Sequence, residues 1–477
     1  MGFDPGDKKG DMGMRAVRLV INPFDFISLL EVKCSRKLNE HGVLTITGLI
    51  EQEKGKEYMS IALKETWVSV IAVSENDEMR RFFSGILTDL WMKKEGQVYI
   101  LTIEVKTGSF LLDIEQHTRS FQNINIQYSE VAKVCMDNVQ NTFNILDEKD
   151  EITNQFVLQY RETNWEFMKR LASHAGTVLI PEDSFPEKKV YWGYRNTVTM
   201  AKLQADSYQM EQDYESYEKK KAAGVKGLKL ADLVSYVVRT REIYNLGETV
   251  QFEGMKLVIG KSDSWLEGQE LCHQYYLITK GSGLLLPIFN HNLSGISLRA
   301  KVIAVEKTKV KVQIEADENK EECGSCWFDY ATVYSTPDGT GWYCMPEIGD
   351  EVRIVMPDCM EKHAYVASSV HLGTAGGRTN PDEKSWKNRQ NKEILFTPDS
   401  IILRNNNGTL MELSDHEGIK LVSSKDISVQ SDGNIQIKSQ NAGVNISAGD
   451  GILMQQGTAK VQVNDEINIC GGKIYMN

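Results

Sequence analysis

Cys323 and Cys326 form a Cys-x-x-Cys pair, and Cys344 and Cys359 follow within the same stretch. Four thiolates can close a tetrahedral zinc site. Here fourteen residues lie between the second two where a zinc knuckle has two, so ordinary loop or core thiols are expected, with no metal and no redox role. Glu162 and Glu166 stand four apart on a helical pattern and could be taken as an acid/base pair. Glycosidase carboxylates, however, must flank a cleft that no nearby pattern outlines, and a solvated helix start is the expectation. "GMKLVIGKS" (254–262) puts five residues between its glycines where a phosphate loop has four, and reads as a strand with a turn. Neither Gly-x-Ser-x-Gly nor His-Glu-x-x-His occurs. His174, two residues before Gly176, reads as a helix-end residue interacting with the dipole. No catalytic residue, cofactor site or metal site is expected.

The elements that would hold these residues are mostly strands. "VLTITGLI", "WVSVIAVS", "FFSGILTDLW" and "VYILTIEV" alternate apolar and polar residues, which predicts a β-barrel or sandwich over about 15–105. "SEVAKVCMDNVQ" then places Val131, Val134, Cys135 and Val139 on one helical stripe after a Ser129 cap. A second helix is expected in "TNWEFMKRLASHAG", with Thr163 or Asn164 as cap, Glu166 early, and Gly176 as the stop. Strands resume at "TVLIPE" and "VYWGY". A polar interval spans about 205–228, and a short helix is expected around "SWLEGQELCHQYYLI".

From about 295, "ISLRAKVIAVEKTKVKVQI" gives two strands joined at Glu306 to Lys309. "GWYCMPEIGDEVRIVMPD" and "HAYVASSV" add more, with a turn at Gly349-Asp350, as suits a small OB-fold barrel. The expected domains are 1–290 (α+β hub region with β-barrels), 291–372 (OB-fold), 373–394 (linker) and 395–477.

The last segment is a repeat. Apolar pairs begin near 401, 410, 419, 427, 435, 444, 452, 461, 467 and 474, with Gly, Asn, Asp or Ser at most corners. The expected core is Ile401, Leu403, Ile419, Leu421, Ile427, Val429, Ile435, Ile437, Val444, Ile446, Ile452, Met454, Val461, Val463, Ile467 and Ile469. Two apolar residues per strand cannot offset the ordering entropy of one chain, so identical copies must share the core. Three would form a triangular β-prism, and ten strands at about 4.8 Å would rise roughly 50 Å. Its backbone bonds are expected to run between chains along its whole length. A single-chain β-helix is the other reading, but its coils are usually longer.

The bulk numbers agree with a multi-domain chain: 477 residues, 41% of them apolar. A formal charge of −12 argues against a nucleic-acid partner. Eight scattered cysteines do not make a secreted disulfide framework, and no apolar run suits a membrane helix or signal peptide, so synthesis in the bacterial cytoplasm is expected.

In this order, barrel, helices, small barrel and needle, the chain resembles the VgrG-type spike proteins, relatives of the fused hub and spike proteins of contractile phage baseplates. "QYRETNWEFMKRLASHAG" (159–176) is similar to the family's hub helix, "RSFQNINIQYSEVAKVC" to its first hub helix, and "MPEIGDEVRIVM" to a stretch of its OB-fold. The resemblance implies a homotrimer whose hub forms a pseudo-sixfold ring on a tail tube and baseplate, with the needle driven through a target envelope. It implies a phage tail-like particle or secretion apparatus, acting outside the cell or in a target cell. It also implies a PAAR-like tip protein or effector, for which Lys473, Ile474, Tyr475, Met476 and Asn477 would offer the contact. Some members bind iron through a terminal His-x-His, but no histidine follows His416. Some carry a lysozyme domain before the needle, for which the linker is too short. A spike bearing an envelope hydrolase and a receptor-binding tail fibre are the alternatives.

Overall fold

The computed structural model describes residues 15–61, 66–136, 142–146, 150–195, 201–203, 205, 207–320, 324–367, 379–470 and 472–473. The chain divides into two compact units, 1–370 and 371–477. As the sequence predicts, strands dominate both.

In the first unit, one long sheet runs through two barrel-like halves. Arg18–Asn22, Trp67–Val73, Met79–Glu95, Val98–Lys106, Val43–Ile50 and Ser28–Lys37 lie side by side. Met255–Glu267, Glu270–Ile278, Val234–Thr240 and Tyr208–Gln212 then continue the sheet. Strict alternation turns Leu44, Ile46 and Ile50 inward from Val43–Ile50, where they meet Val68, Val70, Phe83 and Leu101 in the first core. Val238, Phe252, Ile259 and Leu277 build the second.

The halves meet where Ser28–Lys37 pairs with Met255–Glu267. At this seam Arg36 is buried: its Nε donates to Ser262 Oγ at 3.1 Å, its Nη1 donates to Asp183 at 3.0 Å, and its guanidinium lies 5.2 Å from the Phe82 ring centroid. The pairing also corrects a sequence expectation. "SWLEGQELCHQYYLI" forms a hairpin, not a helix, with Trp265 opposite Cys272, and Gly268 at φ 65° supplies the turn. The interval 205–228 likewise holds the strand Tyr208–Gln212 and the helix Tyr214–Ala222.

Between the barrels and the following domain sits a helical layer. The helix Asn164–Ala175 starts at Thr163, whose side chain accepts from Glu166 N at 3.1 Å while Glu166 accepts from Thr163 N at 3.0 Å. It ends at Gly176, φ 69°. Trp165, Phe167, Met168 and Leu171 bury its inner face. The shorter helix Tyr128–Val134 is preceded by Gln127 rather than capped by Ser129, whose hydroxyl bonds Asp150 instead. Val139, expected on this stripe, lies outside the described residues.

Residues 297–367 form a five-stranded barrel in the order Phe328–Asp329, Lys309–Ile314, Ser297–Glu306, Glu351–Val355 and Tyr365–Ala367, closed by a bridge from Tyr330 to Val366. Its core borrows from the preceding layer. A ribbon of Gln116–Phe121 paired with Val157–Thr163 stands between the two cores. Phe121 and Val157 face the helices, whereas Phe156 and Leu158 enter the barrel core, Phe156 edge-on to Phe328 at 5.1 Å. Period-two geometry makes this double use inevitable once both faces are covered.

The second unit is a meander of short antiparallel strands: Lys384–Lys387, Glu393–Phe396, Ser400–Arg404, Leu410–Ser414 and Gly418–Val422 in one sheet, and Ile452–Gln456, Ala459–Val463 and Ile467–Cys470 in another. The stretch read as linker therefore contains strand. The pairs starting at 427, 435 and 444 lie in no strand, and residues 474–477 lie outside the described set.

Candidate interaction surface

The register of the five-stranded sheet puts Trp386, Ile394, Leu403, Met411 and Leu421 in one cross-strand row. Phe396, Ile401, Leu413 and Ile419 form a second row two residues along, on the same face. The opposite face is mixed, with Arg404 Nε donating to Glu393 at 2.6 Å and Ser400 beside Glu412. In the three-stranded sheet Ile452, Val463 and Ile467 make one row and Met454, Val461 and Ile469 another, again on one face. The expected core residues with strand geometry thus share one side in each sheet. That side is open in the single chain: Ile419 is 72% exposed and Ile467 72%.

Sequence reasoning missed Trp386, Ile394, Phe396, Met411 and Leu413. The apolar pair noted near 410 bore on Met411 and Leu413, but Trp386 sits alone among charges and joins the row only through register. Within 384–422 and 452–470 the single chain forms its own ladder bonds between successive strands.

The residues singled out for chemistry lie elsewhere and do not converge. Glu162 is not solvated: it is buried, and both its oxygens accept from Arg170 at 2.8 Å, while Arg170 Nη1 reaches Glu361 at 2.5 Å. Burial opposes the charge on Arg170, but Glu162 and Glu361 outweigh it and raise its pKa. Glu166 serves as the helix cap described above. His174 Nε2 contacts the Ile288 carbonyl at 2.7 Å; burial lowers its pKa, outweighing that hydrogen bond, which raises it. "GMKLVIGKS" is strand, as expected. Cys323 lies outside the described residues; among those described, Cys326, Cys344 and Cys359 belong to no metal-ligand cluster.

The barrel at 297–367 is also tied to the ribbon by polar bonds. Ser120 N donates to Asp317 at 2.8 Å, Gln122 Nε2 to the Val312 carbonyl at 3.0 Å, and Thr118 N to Glu318 at 2.8 Å. Asp317 is buried, so this dock is specific as well as stabilising.

Comparison with known proteins places this architecture. Residues 298–371 match the family of the type VI secretion system/phage-baseplate injector OB domain. An E. coli protein described as a component of the type VI secretion system, with structural similarity to the T4 bacteriophage tail proteins gp27 and gp5, superposes with a TM-score of 0.51 at 12% identity, covering 73% of this chain and 99% of its own. The VgrG-containing PdpA-VgrG complex of Francisella, in its half-lidded form, gives a TM-score of 0.51 at 8% identity, covering 83% of each chain. No curated protein sequence matches. The OB domain and the hub-and-spike fold together bear out the resemblance to VgrG-type spike proteins. The shared feature with these structures is the fold, and the family match is confined to the OB domain at 298–371. No helix among its described residues is long and apolar enough to cross a membrane.

Proposed function

We propose that three copies of this chain form the central spike of a contractile injection apparatus, with the hub seated on a tail tube and the C-terminal repeat as a membrane-puncturing needle. The observation that supports this reading is the apolar face of each sheet in the second unit, exposed among the described residues. Enclosing those side chains at roughly 60–120 Å² each would bury more than the about 800 Å² per partner typical of a stable interface. A closed threefold arrangement covers all three faces at once and leaves the mixed faces outward.

The needle core in this reading is the set expected from sequence, Ile401 to Ile469, extended by Trp386, Ile394, Phe396, Met411 and Leu413. Lys473, exposed at the end of the described chain, and residues 474–477 would meet a PAAR-like tip or effector. The role is mechanical and non-enzymatic.

The test is the native mass of the full-length chain by light scattering. A species near three times 53.9 kDa is expected. Ile435→Asp and Ile446→Asp, which place a carboxylate in the shared core, should each weaken it. A monomeric native chain, or a trimer indifferent to both substitutions, would overturn the proposal.

A further inference from the structure

A cavity of about 1100 Å³ opens in the first unit where four elements meet. One wall is the last turn of the helix Asn164–Ala175, with Ser173 and His174; a second is the connection 280–289 that leads toward the barrel at 297–367. Gly224 to Gly227, just after the helix Tyr214–Ala222, make the third, and the turn Glu361–His363 of the barrel makes the fourth.

These walls are tied together before anything enters. Ile288 N donates to Ser173 Oγ at 2.9 Å, and His174 Nε2 contacts the Ile288 carbonyl at 2.7 Å. Further along the connection, the Tyr194 hydroxyl donates to the Lys280 carbonyl and Lys220 Nζ to the Ser282 carbonyl, each at 2.6 Å. The cavity is thus preformed, which spares a ligand the cost of ordering it.

Its charge is one-sided once the internal pairs are set aside. Both oxygens of Glu151 accept from Lys226 at 3.2 Å, and buried Glu361 is held by Arg170 at 2.5 Å. Lys280 and Lys362 are exposed and have no ion-pair partner among the described residues. In a chain of formal charge −12, two unmatched ammonium groups at one cavity draw an anion. The lining is otherwise largely apolar, through Leu146, Val225, Pro287, Phe289 and Met360, with Tyr128 and Gln155 able to bond amide groups. Its volume lies at the top of the range for a single drug-sized ligand, so a short peptide fills it better than a lone ion does.

We propose that this cavity docks an acidic peptide segment of another protein, its carboxylates set against Lys280 and Lys362 and an apolar side chain against Phe289 and Met360. The inference does not rest on the trimeric reading, because every wall belongs to one chain.

Calorimetric titration of the full-length native protein with the peptide acetyl-Glu-Asp-Phe-Leu-Glu-amide, and with a counterpart carrying lysine at each acidic position, tests it. One saturable site per chain is expected, for the acidic peptide alone. Lys280→Ser with Lys362→Ser should weaken it at least about tenfold without moving the melting temperature, whereas Lys280→Arg with Lys362→Arg should keep most of the affinity. Raising salt from about 0.05 to 0.5 M should weaken it as well. With benzoylphenylalanine in place of the phenylalanine, photo-cross-links mapped by mass spectrometry should fall within 224–227, 287–289 or 358–362.

No saturable binding up to about 1 mM peptide, equal binding of the basic counterpart, an affinity unmoved by the serine pair, or cross-links elsewhere would each overturn the inference. None of these results touches the spike proposal, which is read from native mass.

Discussion

Arg170 is the sharpest point at which to test how the barrel at 297–367 is held to the helical layer. It projects from the helix Asn164–Ala175, is buried, and satisfies two buried carboxylates: Glu162 from its own layer and Glu361 from the barrel, with a third bond from Nη2 to the Leu158 carbonyl at 2.9 Å. Arg170→Met keeps most of the side-chain volume and removes the charge. Breaking a buried pair and leaving its partner uncompensated costs about 3–5 kcal/mol. For a unit of this size that is a fall of about 4–6 °C in the melting temperature. Differential scanning calorimetry of the full chain measures it. The triple variant Arg170→Met with Glu162→Gln and Glu361→Gln should recover most of the loss, because amides can be buried without a counter-ion. If Arg170→Met lowers stability by less than about 1 kcal/mol, or the triple variant recovers nothing, the clamp does not couple the two cores as argued.

His273 carries a pH prediction. It is buried at the seam, beside Ser264 Oγ at 2.7 Å, and burial together with the charges of Arg36 and Arg80 lowers its pKa from 6.5 to about 3. The folded state therefore keeps it neutral while the unfolded chain takes up a proton. The stability this gives is full above pH 6.5 and drains away between pH 6.5 and 3, by at most about 5 kcal/mol. His273→Gln should flatten that part of a urea midpoint-versus-pH curve; an unchanged slope refutes it. For the thiols, Cys34 is buried and its pKa is pushed up to about 12 by burial, so it should stay unlabelled by a disulfide reagent at pH 8, where exposed Cys344 and Cys470 react within minutes. Rapid labelling of Cys34 in the native chain would mean that the seam opens.

What could be read in the sequence was whatever local chemistry decides. The Thr163/Glu166 box, the Gly176 stop and the alternation of "ISLRAKVIAVEKTKVKVQI" each bring their determinants within a few residues, and the structure follows them. The failures share a different cause. "SWLEGQELCHQYYLI" carries helix-favouring Glu, Gln and Leu at the bend itself, and only pairing with Ser28–Lys37 and Val234–Thr240 makes it sheet. Glu162 looks like a helix-start charge because its second tie, through Arg170, is to a residue some 200 positions away. Phe156, Val157 and Leu158 carried no sequence expectation, because a strand covered on both faces shows no alternation. The candidate surface was half legible: the spacing marked the repeat, but only register could add Trp386, or show that the end zones pair within one chain.

The two units present opposite solutions to the same demand for burial. In the first, every large core is closed by the chain itself, and the ribbon at 116–121 and 157–163 is shared between two of them. Pulling the barrel away from the helices would expose Phe156 and Leu158 together and strand Glu361 without its arginine, so force applied across this joint is opposed by hydrophobic burial and charge pairing at once. In the second, the apolar rows are exposed among the described residues. Burial in the first unit is therefore completed within one chain, while the repeat leaves apolar rows exposed although its end strands are paired.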